Sequence, residues 1–324
     1  MESGELPLNE RTVLVVDEAG MVGTRQMAAL VKATEAAGAK LVLVGEATQL
    51  QPIEAGGAFA ALGERLGQAE LTEIRRQREP WAREAVRSVA TGDARAGLRA
   101  YAERGLLTVA DDREGARTAL IADWKAGGLQ QADENLILTS TNRDATLLNR
   151  QAQAARREAG CLGAGTVRVG SETVHEGDRV LFTRNSRVYG VKNGSLGTVL
   201  TADAFRETLT ARLDGSGDEV TVPLSRYQAV KLGYAVTTHK AQGITVENAF
   251  VLAGGAMQDR ELSYVQLSRT RGETRLYTDR AEAGEGLADL SRQMSNSRQK
   301  ELALTYRSSP ANEQRGKLAR KIHL

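Results

Sequence analysis

The sequence predicts an α/β fold on a parallel sheet, into which a small antiparallel β-barrel is inserted. Three observations predict it. Short unbroken Val/Leu/Ile runs alternate with helical stretches towards both ends of the chain. The stretch between them carries short alternating runs divided by turn residues. Aromatic residues make up only 4% of the 324 residues, against 41% hydrophobic, so the core must be packed from Ala, Val and Leu. Layered helices and strands accept such packing better than aromatic-rich sandwiches do.

Residues 12–16 form a β-branched and Leu run that reads as a strand buried on both faces, and residues 41–44 form a second. A helix over 24–37, stopped by Gly38, lies between them. Strand, helix and strand in this order imply a right-handed crossover and parallel pairing. Residues 79–104 read as helical with a break at Thr91-Gly92-Asp93. Residues 136–139 are a third buried strand, followed by a helix from Asn142. Between 165 and 223 short runs (167–169, 178–183, 197–201, 209–213, 219–222) are separated by Asn193-Gly194 and Asp214-Gly215-Ser216-Gly217, which are hairpin turn signals. The α/β character returns with the runs at 234–237, 249–252 and 274–277.

The expected organisation is four pieces. Residues 1–66 and 67–164 with 224–285 form two α/β parts, 165–223 the inserted barrel, and 286–324 a basic, partly disordered tail. From 291 onward the tail has eight Lys or Arg against Glu301 and Glu313. A net charge of +2 is too small to demand a polyanionic partner by itself. Cys161 is alone, which removes intramolecular disulfides and thiolate zinc sites. No apolar run of about 18 residues occurs, so the expectation is a cytoplasmic protein with no membrane partner.

Five constellations carry chemistry. Asp17-Glu18 stand at the carboxyl end of a strand, where one carboxylate can hold Mg²⁺ and its neighbour can polarise a water for attack on a phosphate. Such a pair alone is more often a solvated acidic turn. The run from Gly45 through Gln49 to Pro52 ends the neighbouring strand, so it should lie beside Asp17 at the edge where open α/β sheets bind ligands. Gln49 can bond both a terminal phosphate and the attacking water. Third, Glu70-Leu-Thr-Glu-Ile-Arg75-Arg76-Gln77 presents arginines at a domain boundary, suited to forked phosphate contacts.

The fourth constellation, Thr237-Thr238-His239-Lys240-Ala241-Gln242-Gly243, ends a strand in short hydroxyl, imidazole and ammonium groups that can grip a nucleic-acid backbone without reading bases. The fifth, Tyr264-Val-Gln-Leu-Ser268-Arg269-Thr-Arg-Gly272, places Arg269 at a helix end as another phosphate arginine. A lone histidine or a pair of surface arginines would carry little; the ordered set carries more.

In this order the blocks resemble the late motifs of RecD-like superfamily 1 helicases. The wording DEAGMVGTRQM, LTEIRRQREPWAREAV, GDRVLFTRN with VKNGSLGTV, and YVQLSRTRG is most similar to the helicase part of TraA-type conjugative relaxases. The resemblance spans about residues 10–285. It implies two RecA-like domains of the P-loop NTPase architecture with ATP between them, single-stranded DNA across their tops, and 5′-to-3′ translocation. It implies Mg²⁺ at Asp17 and Glu18 as base. Gln49 would be γ-phosphate sensor, and Arg76 and Arg269 phosphate arginines. Gly45 and Gly243 fall at the nucleotide. Thr238, His239 and Lys240 would couple ATP state to DNA, with Thr141 and Asn142 as further DNA contacts. Residues 165–223 match an SH3-like insertion that helps to hold the strand.

Two features depart from that family. No G-x-x-x-x-G-K-[ST] phosphate loop occurs, since only 16 residues precede Asp17 and Gly316-Lys317 is followed by Leu318. Thr245 stands where many relatives carry a Glu near the ribose. The expectation is therefore a fragment of an ATP-dependent helicase that cannot hydrolyse ATP alone, with a further chain as a possible source of the missing segment. The alternative is a non-catalytic single-stranded DNA-binding module or a truncated remnant.

Overall fold

A computed structural model of the chain describes residues 8–46, 57–69 and 76–299. The chain divides into two compact units, a smaller one within 1–73 and a larger one over 74–296.

In the smaller unit β1 (Val13–Val16), α1 (Thr24–Ala36) and β2 (Lys40–Leu43) form the expected crossover, with β1 and β2 paired in parallel, and α2 (Ala58–Leu66) follows. Ala19, Met27 and Ala58 form a small core with Val16, Leu43 and Phe59 packed against it. Burial on both faces is not what β1 shows. Its side chains alternate, with Val13 57% and Val15 58% exposed. The helices cover one face of this two-stranded pair, and among the described residues nothing covers the other.

The larger unit opens with α3 (Pro80–Ala90) and α4 (Ala94–Ala102). The break between them falls where Gly92 takes φ +92° and Asp93 caps α4 by accepting from the Ala96 N–H at 3.1 Å. Then come β3 (Leu107–Ala110), α5 (Arg113–Gly128), β4 (Asn135–Thr139) and α6 (Asn142–Glu158). The stretch read as a barrel contains β5 (Thr166–Val169), β6 (Glu172–His175), β7 (Arg179–Phe182), β8 (Leu196–Asp203), β9 (Thr208–Leu213) and β10 (Glu219–Pro223). β11 (Val230–Leu232) and β12 (Ala235–Thr237) follow, then β13 (Asn248–Leu252), α7 (Arg260–Ser268), β14 (Thr274–Asp279), α8 (Arg280–Ala283) and α9 (Ala288–Ser295).

Strands β12, β4, β13, β14 and β3 form one sheet in that order, parallel throughout. β4 and β12 are buried along their whole length, as strands covered on both faces must be. The antiparallel sheet has the order β10, β9, β8, β7, β11, and β5 and β6 pair separately as a hairpin. Its last strand is β11, beyond the expected limit at 223, because β11 closes on β7 before the chain returns to the parallel sheet. A second shift concerns the C-terminal stretch. Residues 288–295, read as tail, form α9 with Leu290 and Met294 fully buried; residues 300–324 lie outside the described residues.

One hydrophobic cluster runs from Leu120 and Trp124 on α5 through Ile137 and Tyr234 to Val180, Phe182 and Val199 of the inserted sheet. The sheets therefore share a core. At their junction the Tyr234 hydroxyl donates to the Asp178 carboxylate, while Arg156 donates to the Gly177 carbonyl at 2.7 Å and stands over the Tyr234 ring. Burial raises the Asp178 pKa, opposed by hydrogen bonds from Tyr234, the His175 N–H and Gln153. On α6, the Asn149 amide brackets Ala235 of the edge strand β12. It donates to the carbonyl at 2.7 Å and accepts from the N–H at 2.9 Å. Asn149→Ala should cost about 2–4 kcal/mol in a urea denaturation, because both buried backbone groups of Ala235 lose their partner; a change within error would show that water replaces the amide.

Candidate nucleotide and nucleic-acid site

In the smaller unit β1 runs directly into Asp17-Glu18. Glu18 adopts φ +50°, ψ +39°, a left-handed conformation that costs a non-glycine residue about 1 kcal/mol or more. Asp17 accepts from the Glu18 N–H at 2.8 Å, which fixes the turn. The end of β2 lies against it: Ala19 donates its N–H to the Val44 carbonyl at 2.8 Å, and a Cβ on Gly45 would stand 3.0 Å from both the Ala19 and Gly20 nitrogens. A side chain at 45 would therefore crowd the acidic turn. The acidic turn and the start of the Gly45 block are thus side by side, as parallel pairing required. Gln49 and residues 70–75 lie outside the described residues.

In the larger unit, segments far apart in sequence meet at the C-terminal end of α7. Arg76 donates from Nη1 to the Ser268 carbonyl at 2.5 Å. Gln77, 1% exposed, donates to the Thr270 carbonyl at 3.0 Å, and the Arg78 N–H donates to the Arg271 carbonyl at 3.0 Å. Residue Arg269, which follows α7 directly, is 2% exposed. Arg76 and Arg269 therefore converge on one helix terminus, where helix carbonyls favour positive charge. Arg78 is additionally fixed by an ion pair with Glu247.

The Thr238–Lys240 block follows β12. Thr238 is fully buried and donates its hydroxyl to the Thr139 carbonyl at 3.0 Å, which leaves it committed inside the fold. His239 is exposed, but the protein packed round it still disfavours the imidazolium and lowers its pKa, opposed by Asp259. Lys240 is half-buried, and burial followed by repulsion from Lys231 lowers its pKa as well. Gly243 takes φ +77°, and a Cβ built there would meet nothing within 4 Å, so that side of the backbone is open. The inserted sheet approaches this block: a Cβ on Gly194, in the β7–β8 connection, would lie 3.9 Å from the Lys240 carbonyl.

The block at the end of β4 is engaged in the start of α6. Thr141 is the N-cap of α6, accepting from the Asp144 N–H at 3.1 Å, and Ser140 donates to the Gly254 carbonyl at 2.9 Å. Asp144 is held by Arg113 and Arg117, both at 3.1 Å. Asn142, at the first turn of α6, remains exposed. Sequence reasoning missed the buried glutamines Gln77, Gln258 and Gln266, because a glutamine in an apolar stripe gives no periodic signal.

A family model described as an AAA domain matches residues 3–112. The chain is 39% identical over 318 residues to "Conjugal transfer protein TraA" of Agrobacterium fabrum, covering 97% of this chain and 28% of that protein. It is 32% identical over 263 residues to "ATP-dependent RecD2 DNA helicase" of Deinococcus radiodurans, covering 80% of this chain and 35% of that one. By these relatives the chain is similar to the RecD-like superfamily 1 helicases. Bacteroides Pif1 bound to ssDNA shares its RecA-like fold at a TM-score of 0.55 and 16% identity, with 93% of this chain and 76% of that chain covered. Members of this family use a nucleotide and Mg²⁺ in general. The chain spans well under half the length of these TraA and RecD2 relatives, 28% and 35%. Among the described residues no helix is long and apolar enough to cross a membrane.

His239 should titrate by NMR with a midpoint below 6.5. The folded state disfavours its charged form, so its contribution to stability is present above the unfolded pKa and is lost as pH falls through that range. Asp259→Asn keeps the N-cap of α7 and should move the midpoint lower still; an upward move would contradict the assigned causes.

Proposed function

We propose that these residues are the rear part of an ATP-driven 5′-to-3′ DNA helicase or translocase serving conjugative DNA transfer or related DNA processing. The observation that carries this reading is the meeting of Arg76 and Arg269 at the end of α7, in the unit that also presents His239 and Lys240 after β12. Arginines at one helix terminus beside a basic strand end are the parts a phosphate-driven, backbone-gripping motor needs.

In this reading Asp17 holds Mg²⁺, Glu18 takes the proton of the attacking water and Gln49 senses the γ-phosphate. Arg76 and Arg269 neutralise charge on the transferred phosphoryl group. Mg²⁺ characteristically binds through one or two carboxylates while keeping waters and phosphate oxygens, so the Asp17-Glu18 pair suits it. Bound there, it supplies charge neutralisation at the phosphates. Gly45 and Gly243 allow close backbone approach, and Asn142, His239 and Lys240 face single-stranded DNA. The hydroxyls of Thr141 and Thr238 support the DNA contacts from within, since both are engaged in the fold. By the same reading 1–66 is the end of the first RecA-like domain. Residues 67–164 and 224–285 are the second, 165–223 is an SH3-like insertion, and 286–324 is an appended basic extension.

No phosphate loop occurs within the 324 residues, and we place it on a segment supplied from elsewhere in the working protein or on a separate chain. The bare Val13 and Val15 face is apolar surface that such a segment would cover. ATP hydrolysis by these residues alone should be negligible, and adding the phosphate-loop segment should restore hydrolysis stimulated by single-stranded DNA. Arg269→Ala should then lower turnover about 10³-fold or more. Robust turnover by the 324 residues alone would overturn the reading. Binding of a dT oligonucleotide should weaken with salt at a slope of about −0.7 per phosphate contacted; salt-insensitive or absent binding would remove the DNA role.

A further inference from the structure

A buried chain of hydrogen bonds joins the arginine-bearing helix to the strand end read as the DNA block. The Gly254 N–H donates to Gln258 Oε1 at 3.1 Å. Gln258 Nε2 donates to Ser263 Oγ at 2.6 Å and to Gln266 Oε1 at 3.0 Å. Gln266 Nε2 then donates to Thr238 Oγ1 at 3.2 Å, and the Thr238 hydroxyl donates to the Thr139 carbonyl at 3.0 Å. Gln258 and Gln266 are each 1% exposed, and Thr238, Thr139 and Ser263 are fully buried. Gly254, at φ +94°, is confined to glycine, since a Cβ there would stand 2.9 Å from that of Glu282.

The chemistry of this chain is directional. An apolar side chain at 266 would fill the same space, and buried polar groups are costly unless every partner is met. The network therefore ties the position of α7 to that of the residue after β12 more tightly than packing would, because hydrogen bonds lose strength over a few tenths of an ångström. Gln266 lies three residues before Arg269 and so about 4.5 Å along the helix from it. Thr238 is the immediate neighbour of His239. Any shift of α7 along its axis must be followed by Thr238 or break the relay.

We propose that Gln266 is the positioning residue through which the phosphate-arginine helix and the DNA-facing strand end move as one, with Gln258 as its anchor. The proposal rests on the functional reading above and deepens it. Neither glutamine touches nucleotide or DNA; each acts through Arg269 and through His239 and Lys240.

The test is hydrogen exchange on the 324-residue chain with and without a dT oligonucleotide, read on peptides from α7 and from the segment after β12. In the unaltered chain DNA should slow exchange in α7 as well as after β12. Gln266→Leu should leave oligonucleotide affinity within about threefold, yet abolish the DNA-dependent protection of α7. Gln258→Met, which keeps volume and removes the donor that orients Gln266, should do the same and serves if Gln266→Leu fails to fold. Undiminished α7 protection in a folded variant overturns the relay while leaving DNA binding intact. Absence of binding by the unaltered chain overturns the functional reading instead, and with it the relay.

Discussion

The arrangement of the larger unit depends on the passage of the chain from one sheet to another within two residues. β11 ends at Leu232 in the antiparallel sheet and β12 begins at Ala235 in the parallel one. Gly233 donates its N–H to the Arg179 carbonyl at 2.8 Å on one side, and the Tyr234 carbonyl accepts from Ile137 at 3.0 Å on the other. The Tyr234 ring stacks edge-on against Trp124, with centroids 5.9 Å apart, while its hydroxyl is held by Asp178. A residue anchored to both sheets sets their mutual orientation, and that orientation brings the Asn193-Gly194 turn beside Lys240.

Much of this architecture was legible in the sequence. The apolar run at 136–139 reads as a strand covered on both faces, and it lies in the parallel sheet with the strands expected at 249–252 and 274–277. Gly-containing turns marked the inserted sheet because a left-handed backbone at Gly194, Gly215 and Gly217 has few other solutions. The same inference failed at 12–16. An apolar run records what a strand is built to contact, and Val13 and Val15 remain exposed here. α9 escaped notice because its buried residues, Leu290 and Met294, are too few to show a period among polar neighbours.

The functional residues divide along a similar line. Arg76 and Arg269 were legible as a pair only through motif order, and the fold brings them to one helix end through backbone carbonyls that no pattern records. Thr141 and Thr238 show the converse. Hydroxyls are equally suited to capping a helix, bonding a neighbouring strand or touching a phosphate, and residue type alone does not choose among these. Burial chose for Thr238, and the helix start chose for Thr141. The glutamine relay reaches Thr238 through a contact between residues 28 positions apart, which could not be read from spacing.

The Asn149 fork has a further consequence for the molecule in company. β12 is the outermost strand of its sheet, and an outermost strand offers its backbone to any passing chain. With a side-chain amide imitating a neighbouring peptide unit on Ala235, that register is already occupied, and a stray strand would have to evict α6 to pair there. The sheet is thereby insulated, at this position, against joining another copy of itself edge to edge.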